Sequence, residues 1–104
     1  MKVDYITISN LIIDDIVFPD GQTTMNVLGG AGLHALVGMR VWSDALGYAA
    51  SVGRDVESSH LQDLQAFGVD TEGLVVRENY ETARAWQVFE TNGYRTEIFR
   101  TSLD

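Results

Sequence analysis

The stretch Gly29-Gly30-Ala31-Gly32 is where the hydrophobic period of the chain changes, and that change limits the possible folds more than any other feature. Before it, residues 3–9 (VDYITIS) alternate in part and carry Val, Tyr and Ile, which reads as a strand. A second short strand is expected at 14–18, closed by the turn signal Pro19-Asp20-Gly21, with 23–28 returning as its hairpin partner. From Gly32 onward, Leu33, Leu36, Val37 and Val41 fall at helical spacing and form one apolar stripe. Strand pattern running into helix pattern through a glycine cluster means an α/β chain, in which backbone can approach something closely at a helix start.

The rest of the chain follows the same alternation. Residues 45–52 (ALGYAASV) suit a buried strand, and Asp55 is placed to cap a helix beginning at Val56. That helix carries Leu61, Leu64 and Phe67 on one side and has Gly68 just past its end. Both apolar stripes read as core, and Trp42 as a partly buried anchor at the end of the first helix. A short extended stretch is expected at Leu74 to Val76. In the tail, Ala83, Ala85 and Gln87 fall on one face, and Arg84, Trp86 and Val88 on the other. Asn92-Gly93 is the strongest hairpin signal, with Tyr94 to Phe99 as the returning strand. The order β-β-β-α-β-α-β-β-β predicts an α/β layer carrying a side sheet built from two hairpins.

Charge and composition narrow the function. Fifteen acids against seven basic residues give a net charge of −8, a poor match for nucleic acid or an anionic membrane surface. No cysteine is present, which fits a reducing compartment, and the apolar start is interrupted by Thr7, Ser9 and Asn10. The expectation is a soluble, cytoplasmic protein with no nucleic-acid or membrane partner. With 104 residues, the chain has the size of one small domain.

Gly30-x-Gly32-x-x-Ala35 satisfies the minimal dinucleotide pattern, in which glycines let backbone approach a pyrophosphate at a helix N-terminus. The pattern is weak support here. The next strand closes on Ala50, Ser51 and Val52 without the acid that would hold a ribose, and no Gly-Lys-Ser/Thr follows the glycines. His34 and His60 with Asp14 or Asp55 lack the spacing of a metal site, and no nucleophile elbow is present.

Four segments, taken in order, resemble the ribokinase-like (PfkB) carbohydrate and nucleoside kinase family. Ser9-Asn10-Leu11-Ile12-Ile13-Asp14 is similar to the opening strand whose aspartate binds sugar hydroxyls. Gly29-Gly30-Ala31-Gly32-Leu33-His34 is similar to the di-glycine motif at a helix start. Ser43 and the turn Gly53-Arg54-Asp55 follow at the spacing of the family signature, and Leu64 to Asp70 (LQAFGVD) resembles the segment after the second helix. In addition to these four, Thr82-Ala83-x-Ala85 resembles the start of the strands that complete the lid. The chain departs from the family at His34, where an asparagine is usual, at Leu36, where a small residue is usual, at Ser9 for glycine and at Ala31 for lysine.

The resemblance implies the N-terminal part of a ribokinase-like three-layer sandwich with a small β-sheet lid formed by two hairpins. Residues 1–104 would be one truncated domain, with lid strands at about 14–27 and 82–100 and an α/β core at about 3–9 and 30–76. It implies a substrate site built from Asp14, Gly29, Gly30, His34, Ala83 and Ala85. Asp14 would accept hydrogen bonds from vicinal hydroxyls, Gly30 would let substrate lie against backbone, and His34 would be a side contact through either ring nitrogen. No catalytic residue and no metal ligand is implied. The family's catalytic base and ATP site belong to a C-terminal portion with a Gly-Ala-Gly-Asp-like segment that the 104 residues do not contain. The chain alone is therefore expected to hold no cofactor and to transfer no phosphate, whereas a full-length parent would use ATP and Mg²⁺ to phosphorylate a sugar or nucleoside hydroxymethyl group. A homodimer through the lid strands is expected, and the alternative reading is a non-catalytic small-molecule-binding or dimerisation module.

Overall fold

The computed structural model describes residues 2–101; Met1 and residues 102–104, which the expected domain of 1–104 includes, lie outside the described residues. Two sheets organise the chain. The first is wholly parallel: β1 (Tyr5–Ile8) pairs with β4 (Leu46–Gly53), which pairs on its other side with β5 (Val69–Asp70) near its start and β6 (Leu74–Arg77) near its end. The second has the order β3-β2-β7-β8, from β2 (Ile12–Val17), β3 (Thr23–Gly29), β7 (Ala83–Phe89) and β8 (Arg95–Thr101). β2–β3 and β7–β8 are antiparallel hairpins, and the two hairpins join through a parallel β2–β7 ladder. The mixed α/β architecture with a sheet of two hairpins is the one predicted.

Two helices, α1 (Ala31–Met39) and α2 (Ser58–Ala66), cover one face of the parallel sheet. Leu46, Tyr48 and Val52 point from β4 into the core they share with Leu36, Leu64 and Val69, and Leu11 and Ile13 anchor the side sheet to the same core. Tyr48 is buried, its hydroxyl donates to the Asn10 carbonyl at 3.2 Å, and burial pushes its pKa up to about 12. The opposite face, where the register aligns Ile6, Ile8 and Val75 with Gly47, Ala49 and Ser51, carries no layer among the described residues. No helix among them is long and apolar enough to cross a membrane.

Four details differ from the sequence expectation. Of the second helix's stripe, Leu64 is core but Phe67, at the helix end, is 37% exposed. α1 ends at Met39, so Val41 and Trp42 lie beyond it. Only Leu36 and Leu33 pack inward from the stripe, leaving Val37 (53% exposed) and Trp42 (80%) in the open. Asp55 does not cap the second helix. Glu57 is the N-cap, its N–H donating to His60 Nδ1 at 3.1 Å, and Asp55 Oδ1 instead accepts the Thr82 N–H at 2.9 Å. Last, β1 stops at Ile8, so Asp14 belongs to the first strand of the side sheet rather than to the opening strand.

Thr82, fully buried, joins the two sheets: its Oγ1 accepts the Gly53 N–H at 2.8 Å while its own N–H is held by Asp55. The turn after β4 thus fixes where β7 begins. Thr82→Val keeps the shape but leaves a buried N–H without its acceptor, an expected loss of about 1–3 kcal/mol in urea unfolding.

Candidate substrate site

The chain leaves β1 through Ser9–Leu11 and enters β2, which places Asp14 at the seam between the side sheet and the start of α1. Residue alternation sends Asp14 to one face of β2, with its register partner Ala85, and Asp15 to the other. A cavity of about 230 Å³ lies at this seam. Ile12 and Asp14 line it from β2, Gly30, Ala31 and His34 from the helix start, and Gln87, Arg95 and Glu97 from the second hairpin.

Gly30 is the N-cap of α1 at φ 95°, a backbone shape that L side chains rarely adopt, and a Cβ there would lie 2.9 Å from the Asn10 carbonyl. At Gly29, paired with Ile12, a Cβ would run into the Asp14 carboxylate. The two glycines therefore have separate reasons: Gly30 supplies the turn into the helix, and Gly29 leaves room for Asp14.

Asp14 is half-buried, and burial is the main reason its pKa is raised above 3.8. The hydrogen bond from Gln87 opposes the rise, Glu97 adds to it, and Arg95 and His34 oppose it by charge. Gln87 Nε2 donates to Asp14 Oδ1 at 3.1 Å and to Glu97 Oε2 at 2.7 Å, while its buried Oε1 has no partner. His34 is exposed at the cavity mouth. Its Nδ1 lies 2.9 Å from the Gly30 carbonyl, which can only accept, so Nδ1 carries the proton. That leaves Nε2, rather than either ring nitrogen, for a ligand.

Asp14, Gly30 and His34 thus meet at one cavity, and Gly29 stands directly behind Asp14. Ala83 and Ala85 pair with Ile12 and Asp14 but are buried and do not line it. The polar groups on the hairpin side are Gln87, Arg95 and Glu97. Alternation alone puts Gln87 on the face of Ala83 and Ala85 without giving it a role, and composition gives Arg95 and Glu97 no more than a share in the net charge. The signal was the alternation across the Asn92-Gly93 turn, which sets Glu97 opposite Gln87 and Arg95 opposite Phe89. His60, by contrast, is committed: buried, it accepts from Glu57 N–H and reaches the Asn26 carbonyl at 3.1 Å through Nε2. Among the described residues no group of three His, Cys, Asp or Glu side chains could hold a metal ion.

The arrangement offers a carboxylate, an amide, a ring nitrogen and a guanidinium within one concave space.

No family model matches the chain. An uncharacterized protein of Schizosaccharomyces pombe is 32% identical over 100 residues, spanning 89% of this chain and 27% of that protein. The ribokinase of Cryptococcus neoformans var. grubii in complex with ADP superposes with a TM-score of 0.77 at 17% identity, covering 96% of this chain and 34% of that one. The nucleoside kinase of Methanocaldococcus jannaschii gives 0.70 at 19% identity, covering 91% and 36%. The chain therefore spans about a quarter to a third of the length of the proteins it matches. Sheet order, lid hairpins and helix placement together give this chain the ribokinase-like fold, in its N-terminal portion.

Proposed function

We propose that this chain is the substrate-side portion of an ATP-dependent kinase acting on a hydroxymethyl group of a sugar or nucleoside. The carrying observation is the half-buried Asp14 carboxylate in a cavity closed by a glycine helix start on one side and a hairpin lid on the other. Asp14 accepts hydrogen bonds from vicinal hydroxyls, Gly30 lets the sugar lie on backbone, His34 Nε2 contacts its edge, and Gln87 holds Asp14 in place. Gly29 keeps the space behind Asp14 open. Ala83 and Ala85 act from below as small neighbours of Ile12 and Asp14. ATP and Mg²⁺, which the chemistry of phosphoryl transfer requires, are held by residues outside these 104, so the isolated polypeptide transfers no phosphoryl group. The uncovered apolar face of the parallel sheet supports this reading, because parallel sheets are normally covered on both faces.

We place the protein in the cytoplasm, which a chain without cysteine fits, and the net charge of −8 argues against nucleic acid and anionic membrane as partners. A second reading, assembly, has its own observation: Tyr94, Ile98 and Phe99 on the second hairpin are exposed, which favours a homodimer through the lid strands. Sedimentation velocity of the wild type should give a dimer mass, and Ile98→Glu a monomer; a monomeric wild type removes the dimer.

Titration calorimetry with a panel of pentoses, hexoses and nucleosides tests the main reading. Saturable binding of at least one is expected, with no ADP formed when ATP and Mg²⁺ are added. Failure of the whole panel to bind overturns the substrate-side assignment.

A further inference from the structure

We propose that Asp15 is a positioning residue for the site: it ties all four lid strands together on the face opposite Asp14 and thereby decides which of two adjacent aspartates points into the cavity. The proposal rests on Asp14 as the substrate carboxylate, but its own evidence lies on the other side of the sheet.

Asp15 is fully buried (0% exposed), and every donor to it comes from a different element of the sheet. Arg84 on β7 donates from Nε to Oδ2 and from Nη2 to Oδ1, both at 2.7 Å. Arg100 on β8 donates from Nη1 to Oδ2. The backbone N–H of Asn26 on β3 donates to Oδ1 at 3.0 Å. One side chain on β2 is thus bonded to each of the other three strands.

Both irregularities of the sheet occur where these donors are delivered. Between Asp14 and Ile16 the β2–β3 register shifts, so that Met25 and Asn26 together stand opposite Asp15. Asn26 takes a left-handed conformation (φ 62°), which aims its N–H at the carboxylate. Between Arg84 and Ala85 the β7–β8 register shifts, and Arg100 is the extra residue of β8. Bulges of this kind re-aim groups beside functional sites. Arg100 is also stacked 4.9 Å over the Trp86 ring, and the Asn26 carbonyl is held by His60, so the tie extends to the N-terminus of α2.

The reason such a device is needed lies in the sequence. Slipping a strand by one residue turns its whole side-chain set to the other face, and Asp14-Asp15 would then merely exchange places. Both faces of β2 accept an aspartate by composition. Two guanidiniums and one N–H claim Asp15, which leaves Asp14 for Gln87 and the cavity.

Nuclear magnetic resonance of the full 104-residue chain tests this with no ligand present, so failure to find a sugar that binds leaves the outcome readable. In Asp15→Asn, amide exchange protection in β2 and β7 should fall at least tenfold relative to β4, and the Gln87 side-chain amide should lose its wild-type shift. Asp14→Asn is the control: it should leave the ratio of lid to β4 protection unchanged, because a gain in overall stability is shared by both sheets. Lid protection and the Gln87 signal both unchanged in Asp15→Asn, or protection lost equally in β2 and β4, would overturn the proposal: the first removes any role in the lid, the second leaves general stability only. If Asp15→Asn does not fold, Arg100→Gln removes one donor alone and is judged by the same two signals.

Discussion

Asp14→Asn is expected to lose ligand binding about a hundredfold, because hydrogen bonds to a charged acceptor contribute about 1.5–3 kcal/mol where neutral ones contribute less. The substitution keeps the shape and keeps an oxygen for Gln87 Nε2, so the loss reports the charge rather than the packing. Calorimetry with whichever sugar binds the wild type measures it. Binding within threefold of wild type would remove Asp14 from the site.

The same variant should be more stable than the wild type at neutral pH. Burial raises the Asp14 pKa in the folded state above 3.8, so folding favours its protonated form. A group with a raised folded-state pKa contributes stability that is present at low pH and is lost as pH rises through that raised value. At pH 7 the charged, half-buried Asp14 therefore costs stability, and an uncharged asparagine relieves the cost. Ligand affinity runs the opposite way: it should fall on acidification with a midpoint above 3.8, since the protonated carboxyl accepts fewer hydrogen bonds. Weaker binding with greater stability is the signature of a residue retained for function.

How much of this was legible in the chain differs from element to element. The Gly29–Gly32 cluster and the change of period placed the start of α1, and Asn92-Gly93 placed the second hairpin, because both features are local. The parallel β2–β7 ladder has no local signal: it joins residues about seventy positions apart, so the element order predicted a side sheet of two hairpins but not how the hairpins join. Asp55 shows how a local rule is overridden. By sequence it precedes a helix and suits a cap, but the Thr82 N–H arrives from a distant strand and takes its carboxylate. His34 was legible as a candidate, yet the commitment of Nδ1 to Gly30 depends on backbone geometry that spacing does not encode. For Asp15, strand alternation gives only that it points away from Asp14. Its donors are a bulge residue of β8, a left-handed residue of β3 and an arginine of β7, none of which alternation alone predicts.

Those donors make Asp15 the site of the largest expected stability change. Arg84→Met takes away both bonds from one guanidinium and leaves a buried carboxylate held by Arg100 and one N–H; with that partial compensation the loss is expected at about 3 kcal/mol, the upper end for hydrogen bonds to a charged group. Urea unfolding of wild type and variant at pH 7 measures the difference, and a gap below about 1 kcal/mol, the range of an exposed ion pair, would mean that the carboxylate is not desolvated. The pH dependence is a second check, with a fixed sign. Hydrogen bonding from Arg84 holds the Asp15 carboxyl well below its ordinary 3.8 in the folded state, against the opposing effect of burial. A depressed folded-state pKa contributes stability that is present above the unfolded value and is lost as pH falls through the folded one. The gap between wild type and Arg84→Met should therefore stay constant from pH 7 down to about 5 and close progressively below about 4. Asp14 titrates in the opposite sense, and on the other face, so the double variant Asp14→Asn/Arg84→Met isolates the Asp15 contribution. Its acid limb should match that of Arg84→Met once the Asp14 contribution is subtracted, because the two carboxylates belong to separate hydrogen-bond networks.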